Sequence, residues 1–161
     1  MGIQSYSVDI DDVCALFGYF SEKNEYDNKN ITHLKLQKLL YFAQGLCLGK
    51  YGKKLYDEKI EAWRHGPVCP TVYQKFKHKS YYDIKLSEFS GNFNNIKVGS
   101  EAYIVVEKVW EFLGGLSGPQ LESITYQETP WQDAIMKGFN IEIPEEDICN
   151  FFQKVSMSIW E

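Results

Sequence analysis

The chain has 161 residues, 44% of them hydrophobic and 16% aromatic, and a formal net charge of −5. That length fits one compact domain, hiding roughly 70% of the surface its unfolded form exposes, and so many aromatics exclude a disordered binder. The acidic balance argues against a general nucleic-acid binder, and no apolar run approaches the ~20 residues of a membrane span.

Residues 9–22 read as a first helix, capped by Ser7 or Asp9, with Asp11 and Asp12 in its first turn and Ile10, Val13, Cys14, Phe17 and Phe20 on one face. The polar stretch from Glu22 to Asn30 reads as a loop. Thr32 then caps a second helix to about Leu48, with Gly49 where a helix stops readily. Leu36, Leu39, Leu40, Ala43, Leu46 and Cys47 share its apolar face, which Leu34, Phe42 and Leu48 widen. Only Lys35, Gln37, Lys38 and Gln44 suggest polar sides, and a helix apolar over most of its circumference belongs in the middle of a bundle.

From residue 50 the pattern changes. Ile60–Trp63 suits a short strand or extended arm, and His65-Gly66-Pro67-Val68-Cys69-Pro70 cannot be regular helix because its two prolines forbid it. Pro70 opens a short helix packing through Val72, Tyr73 and Phe76. Residues 78–99 read as an irregular excursion with a brief strand near Tyr81–Leu86. Ser100 caps a helix to about Leu113, packing through Ile104, Val105, Val109, Phe112 and Leu113. Ser117-Gly118-Pro119-Gln120 is a cap followed by proline and a reciprocal glutamine, opening a short helix through Leu121 and Ile124. Thr129-Pro130-Trp131-Gln132 repeats the device up to Gly138, and Pro144 starts a last helix packing through Ile148, Phe151, Phe152, Val155 and Ile159. The expected fold is mainly α, a single domain of six or so helices around a central buried helix, with at most a small β element.

Chemistry is sparse. Four cysteines, Cys14, Cys47, Cys69 and Cys149, lack CxxC spacing and a nearby ligand histidine. Three of them fall in apolar helical patterns, as reduced thiols in a cytoplasmic protein do. The N-terminal MGIQSYSVDIDD has neither a basic start nor an apolar run, so no signal peptide is expected. His33 and His78 have no evident partner. His65 and Cys69 could be base and nucleophile, but no oxyanion-hole glycine run adjoins them. No phosphate-binding loop, zinc or calcium motif occurs, so no catalytic residue, metal or cofactor is expected. Tyr73, Phe76, Tyr81 and Tyr82 interleave with Lys75, Lys77 and Lys79 as in a base-stacking surface, although helical spacing explains Tyr73 and Phe76 as core. Residues 50–79 hold eight Lys/Arg against three Asp/Glu. They are either a contact surface or solvated tips.

Three segments, in order, carry a resemblance: Lys35-Leu36-Gln37-Lys38-Leu39-Leu40-Tyr41-Phe42-Ala43-Gln44-Gly45, Glu61-Ala62-Trp63-Arg64-His65-Gly66-Pro67-Val68, and Leu121–Ala134 with its Thr129-Pro130-Trp131. Together they resemble the Panacea domain of SocA-like antitoxins, over about residues 10–150. The resemblance implies a bacterial, often prophage-borne, antitoxin that binds and neutralises a co-encoded protein toxin, in some relatives handing it to a protease. One departure is Tyr126 after Thr125, where the family often carries histidine; it removes the histidine a metal or acid–base role would use. Arg64, His65 and the rim Lys75, Lys77 and Lys79 are the candidate partner contacts, on a loop stiffened by proline. Trp63, Gly66, Pro67, Pro130 and Trp131 are read as structural, with Trp131 in the core. The alternatives are a nucleic-acid-binding regulator and, third, a Cys/His enzyme.

Overall fold

The computed structural model describes residues 2–23 and 30–160, with side chains of the last helix described as far as Val155. The loop expected at 24–29 and the side chain of Ile159 lie outside the described residues. In chain order the elements are α1 (Ile10–Lys23), α2 (His33–Tyr51), β1 (Glu61–Trp63), β2 (Gly66–Val68), α3 (Pro70–Phe76), α4 (Glu101–Leu113), α5 (Gly118–Tyr126), α6 (Thr129–Ile135), β3 (Ile141–Glu142) and α7 (Glu145–Trp160). Short 3-10 turns at Lys77–Lys79, Leu86–Glu88 and Phe93–Asn95 interrupt the link from α3 to α4. The chain is mainly helical, as the sequence predicts.

Helix α2 is the axis of the molecule. Thr32 caps it, its Oγ1 accepting from the Lys35 amide at 3.3 Å. Every residue from Lys35 to Leu48 is buried, because α1, α3, α4, α5, α7 and the β2 strand all pack around it. Gly49 does not end this helix. It stays helical, and a Cβ there would lie 2.6 Å from the Phe152 carbonyl oxygen of α7. The stop comes at Gly52, left-handed at φ 68°, whose amide donates back to Leu48. Gly49 is thus a contact glycine.

The sheet has three short antiparallel strands in the order β2-β1-β3, with Ala62 opposite both Pro67 and Ile141. Proline at 67 is tolerated because β2 is an edge strand. No strand forms at Tyr81–Leu86, contrary to expectation. Among the described residues, one backbone bond ties this stretch to the residues just before α2, the Ile84 amide donating to the Ile31 carbonyl at 2.7 Å, and no described strand there offers it a ladder to join. The excursion is instead fastened to α1: the buried Asp12 carboxylate accepts from the Asn92 amide at 2.8 Å and from Asn95 Nδ2 at 3.2 Å.

Helix boundaries elsewhere fall close to expectation, and some faces do not. Ser100 and Ser117 cap α4 and α5, the second in a reciprocal box with Gln120. Thr129 does not cap α6; Glu128 precedes it and turns inward. Helix α4 buries Ala102, Val105, Val106, Val109 and Trp110, leaving Phe112 52% exposed. Ile124 is also exposed, because the inward face of α5 is Gly118, Leu121 and Thr125. The core runs from α1 through α2 to α4 and α7.

Candidate partner-binding surface

The polar residues of α2 are not a solvent side. Each reaches the main chain of a segment that has no helix of its own. Gln44 grips the link before β1 with both ends of its amide: Oε1 accepts from the Leu55 amide at 2.6 Å and Nε2 donates to the Tyr56 carbonyl at 2.8 Å. Lys35 Nζ donates to the Gly114 carbonyl at 2.6 Å, just beyond the end of α4. Gln37 Oε1 accepts from the Cys69 amide at 2.8 Å, and Lys38 Nζ donates to the Pro67 carbonyl at 3.0 Å. The middle of β2 and the residue just after it are therefore pinned to adjacent residues of α2.

This arrangement fixes protonation states. With its oxygen taken by Cys69, Gln37 offers Nε2 as donor to His33 Nε2 at 3.1 Å. His33 is then a neutral acceptor, in keeping with a pKa lowered to about 4 by burial, helped by the charge of Lys38. Lys38 is fully buried, and that desolvation lowers its ammonium to about 7, opposed by the carboxylate of Glu122. Tyr41 donates to Glu128 Oε1 at 2.8 Å inside the protein, and burial raises Glu128 to about 7 against the lowering effect of that bond.

The other side of the hairpin rests on α5 and α6. Trp131 Nε1 donates to the Trp63 carbonyl at 2.9 Å, and the Tyr126 hydroxyl donates to the Arg64 carbonyl, also at 2.9 Å. The Tyr126 and Trp131 rings lie 4.7 Å apart. Tyr126 therefore fills a structural place at the position where the resemblance leads one to expect histidine. Gly66 sits in the crevice between α2 and α5 at φ 100°, where a Cβ would lie 2.8 Å from Lys38 Cε and 2.9 Å from Thr125 Oγ1. The three segments that carry the resemblance thus meet at one hairpin. Trp131 is half-buried against the core, which corrects its reading as a core residue; its indole edge serves as a donor to the hairpin.

What this scaffold presents is the β1–β2 tip. Arg64 and His65 are exposed, and no described residue pairs with the Arg64 guanidinium. His65 Nδ1 lies 3.4 Å from Glu122 Oε2, with most of the ring in solvent. Trp63 turns the other way, its Nε1 donating to Glu61 Oε1 at 2.8 Å and its ring meeting Tyr73 edge-on at 4.7 Å. The basic rim divides. Lys75 bridges both oxygens of Asp11 at 2.6 and 2.7 Å, and Lys79 pairs with Glu88 at 2.6 Å. Lys77 is exposed and pairs with no described residue.

His65 and Cys69 are not arranged as base and nucleophile. The imidazole faces α5, whereas Cys69 is buried at the N-cap of α3 with its thiol pushed up to about 11 by burial. Among the described residues, no three His, Cys, Asp or Glu side chains gather in a metal-holding group, and no helix is long and apolar enough to cross a membrane. The residues that organise the surface but escaped sequence reasoning are Gln37, Lys38, Glu122 and Tyr126. Gln37 and Lys38 carried one visible signal, polar side chains in a helix with no room for a wet face, and Glu122 and Tyr126, on a half-exposed helix, carried none.

Comparison with known proteins agrees with this geometry. Residues 36–132 match the family model described as Antitoxin SocA-like, Panacea domain, a span that begins within α2 and ends in α6 and so encloses the pinned hairpin. Antitoxin SocA of Caulobacter vibrioides (strain NA1000 / CB15N) is 34% identical, the match covering 80% of this chain and 77% of that protein. No solved structure is significantly similar to the chain. The chain belongs to the SocA-like antitoxin family and carries its Panacea domain.

Proposed function

We propose that the chain is an antitoxin that neutralises a co-encoded protein toxin by binding it directly, with the β1–β2 tip at Arg64 and His65 as a primary contact. Family membership supports the antitoxin role. The observation that carries the contact surface is the bracing of an exposed tip from both sides, by Gln37 and Lys38 below and by Tyr126 and Trp131 behind. A recognition element held this firmly loses little entropy on binding. Arg64 offers a planar fork for a carboxylate of the toxin, while Lys77 supplies local charge that steers an acidic face. Lys75 and Lys79 contribute less, because Asp11 and Glu88 already neutralise them.

The test is growth of cells expressing the toxin together with antitoxin variants. Arg64→Ala with His65→Ala should abolish rescue while melting like the parent, since exposed charges contribute little to stability. Full rescue by a stable double variant would place the primary contact elsewhere. Delivery of the bound toxin to a protease is the further step that the resemblance implies. Toxin half-life in cells with and without the antitoxin reads it directly: delivery shortens the half-life, steric inhibition leaves it unchanged.

A further inference from the structure

The hairpin tip is not the only surface held in a costly conformation. After α3 and its 3-10 turn, the Tyr82 amide donates to the Lys79 carbonyl at 2.9 Å, closing a tight turn over Lys79–Tyr82. Its second residue, Ser80, stands at φ 52° and ψ −117°. That is the first central position of a type II′ turn, where glycine is the usual occupant because a Cβ is strained there. The turn is clamped from one side: Glu88 pairs with Lys79 through Oε1 and accepts from the Lys85 amide through Oε2 at 2.7 Å. The strained geometry projects Tyr81 and Tyr82 into solvent, 93% and 76% exposed, among the most exposed large hydrophobics of the described residues.

Strain held in place by surrounding contacts points to a use for the displayed side chains. Tyrosine is a preferred anchor at protein interfaces, giving large contact area for few frozen torsions. The charge around the turn is basic on balance: Lys77 and Lys85 lie in solvent with His78, against half-exposed Asp83 beside Tyr82 and Glu88, which is already paired with Lys79. The turn also continues the hairpin surface. Trp63 meets Tyr73 of α3, and Lys77 follows Tyr73 by one helical turn and leads to Ser80.

We propose that the Tyr81–Tyr82 turn is a second anchor of the toxin interface, receiving an acidic face of the toxin while the hairpin tip makes the first contact. This rests on the reading of the chain as a toxin-binding antitoxin. A polyanion is disfavoured by the chain's net charge of −5 and by the internal pairing of Lys75 and Lys79.

The experiment measures affinity for the toxic product of the adjacent gene, with Tyr81→Ala/Tyr82→Ala, Ser80→Gly and Arg64→Ala/His65→Ala as variants and thermal unfolding alongside. Loss of the two tyrosines should weaken binding about 30-fold or more, the hot-spot range, at an unchanged melting temperature. Ser80→Gly should raise the melting temperature, since it relieves the strain at φ 52°, and should bind no better than the parent. If the hairpin variant loses binding and the tyrosine variant does not, the turn lies outside the interface and this inference fails alone. If neither variant loses binding, the hairpin contact fails with it. Two further probes can overturn the proposal. Salt-sensitive binding of a 20-mer of single-stranded DNA, abolished in the tyrosine variant, would assign the turn to nucleic acid. Self-association in sedimentation that the tyrosine variant removes would assign it to a second copy of this chain.

Discussion

At the scale of single residues, the central feature is a helix that buries two lysines and gives each a backbone carbonyl. Burial of an ammonium is expensive unless it is bonded, and Lys38 has one strong acceptor, the Pro67 carbonyl. Its pKa, lowered to about 7 from an ordinary 10.5, has a measurable consequence. Between pH 7 and 8.5 the unfolded chain holds a proton on Lys38 that the folded chain has released, so stability should rise with pH across that window. The gain should be about 2 kcal/mol relative to a Lys38→Met variant, read by urea unfolding at the two pH values. Glu128 has the opposite sign. Its carboxyl is raised to about 7 from 4.5, so the folded chain keeps a proton that the unfolded chain loses as pH rises from 5 to 7. Stability should fall over that interval by about 2–3 kcal/mol, and Glu128→Gln should abolish the fall. None of this was legible in the residue types. Lysine and glutamine are usually solvent residues, and their partners are main-chain groups from 11 to 79 residues away that only the assembled fold brings near.

At the scale of elements, glycine and tryptophan show how contacts between helices decide what local preference cannot. A glycine near the end of a helical pattern reads as a stop, yet Gly49 is helical because α7 crosses there with its backbone against α2. Gly49→Ala would gain about 1 kcal/mol of helix propensity. The added methyl would meet the main chain of Phe152, which cannot swing aside, at a cost of about 1–3 kcal/mol. The variant should therefore melt below the parent in a thermal scan; a higher melting temperature would show that the two helices separate easily. Trp131 was expected in the core from its Pro-Trp setting, and it proves to be a half-buried donor to the hairpin. Trp131→Phe keeps most of the packing and removes the donor. It should cost about 1–3 kcal/mol, the penalty of an unmet carbonyl, and should speed amide exchange across β1 and β2. Unchanged exchange there would mean that α6 does not brace the hairpin. The strand near Tyr81 was misread because aromatic content suggests a strand only where a neighbouring edge is free to pair.

At the scale of the whole molecule, the class was legible and the assembly was not. A helix apolar over most of its surface, flanked by amphipathic ones, announces a bundle with that helix at its centre, and α2 occupies that place. The Gly-Pro segment announces a break, and the break is a hairpin. The two-residue β3 strand carried no periodic signal, and neither did the docking of the three resemblance segments on one hairpin, which is a property of tertiary contacts. This hairpin, braced by residues within the span that matches the family, is the surface proposed to bind a toxin. The decisive measurement is isothermal titration of the purified chain with the product of its adjacent gene, the toxin that the proposed function implies. A toxin-binding hairpin gives a stoichiometric complex, weakened at least tenfold (about 1.4 kcal/mol) by Arg64→Ala with His65→Ala at an unchanged melting temperature. Tight binding that the stable double variant retains in full would contradict it.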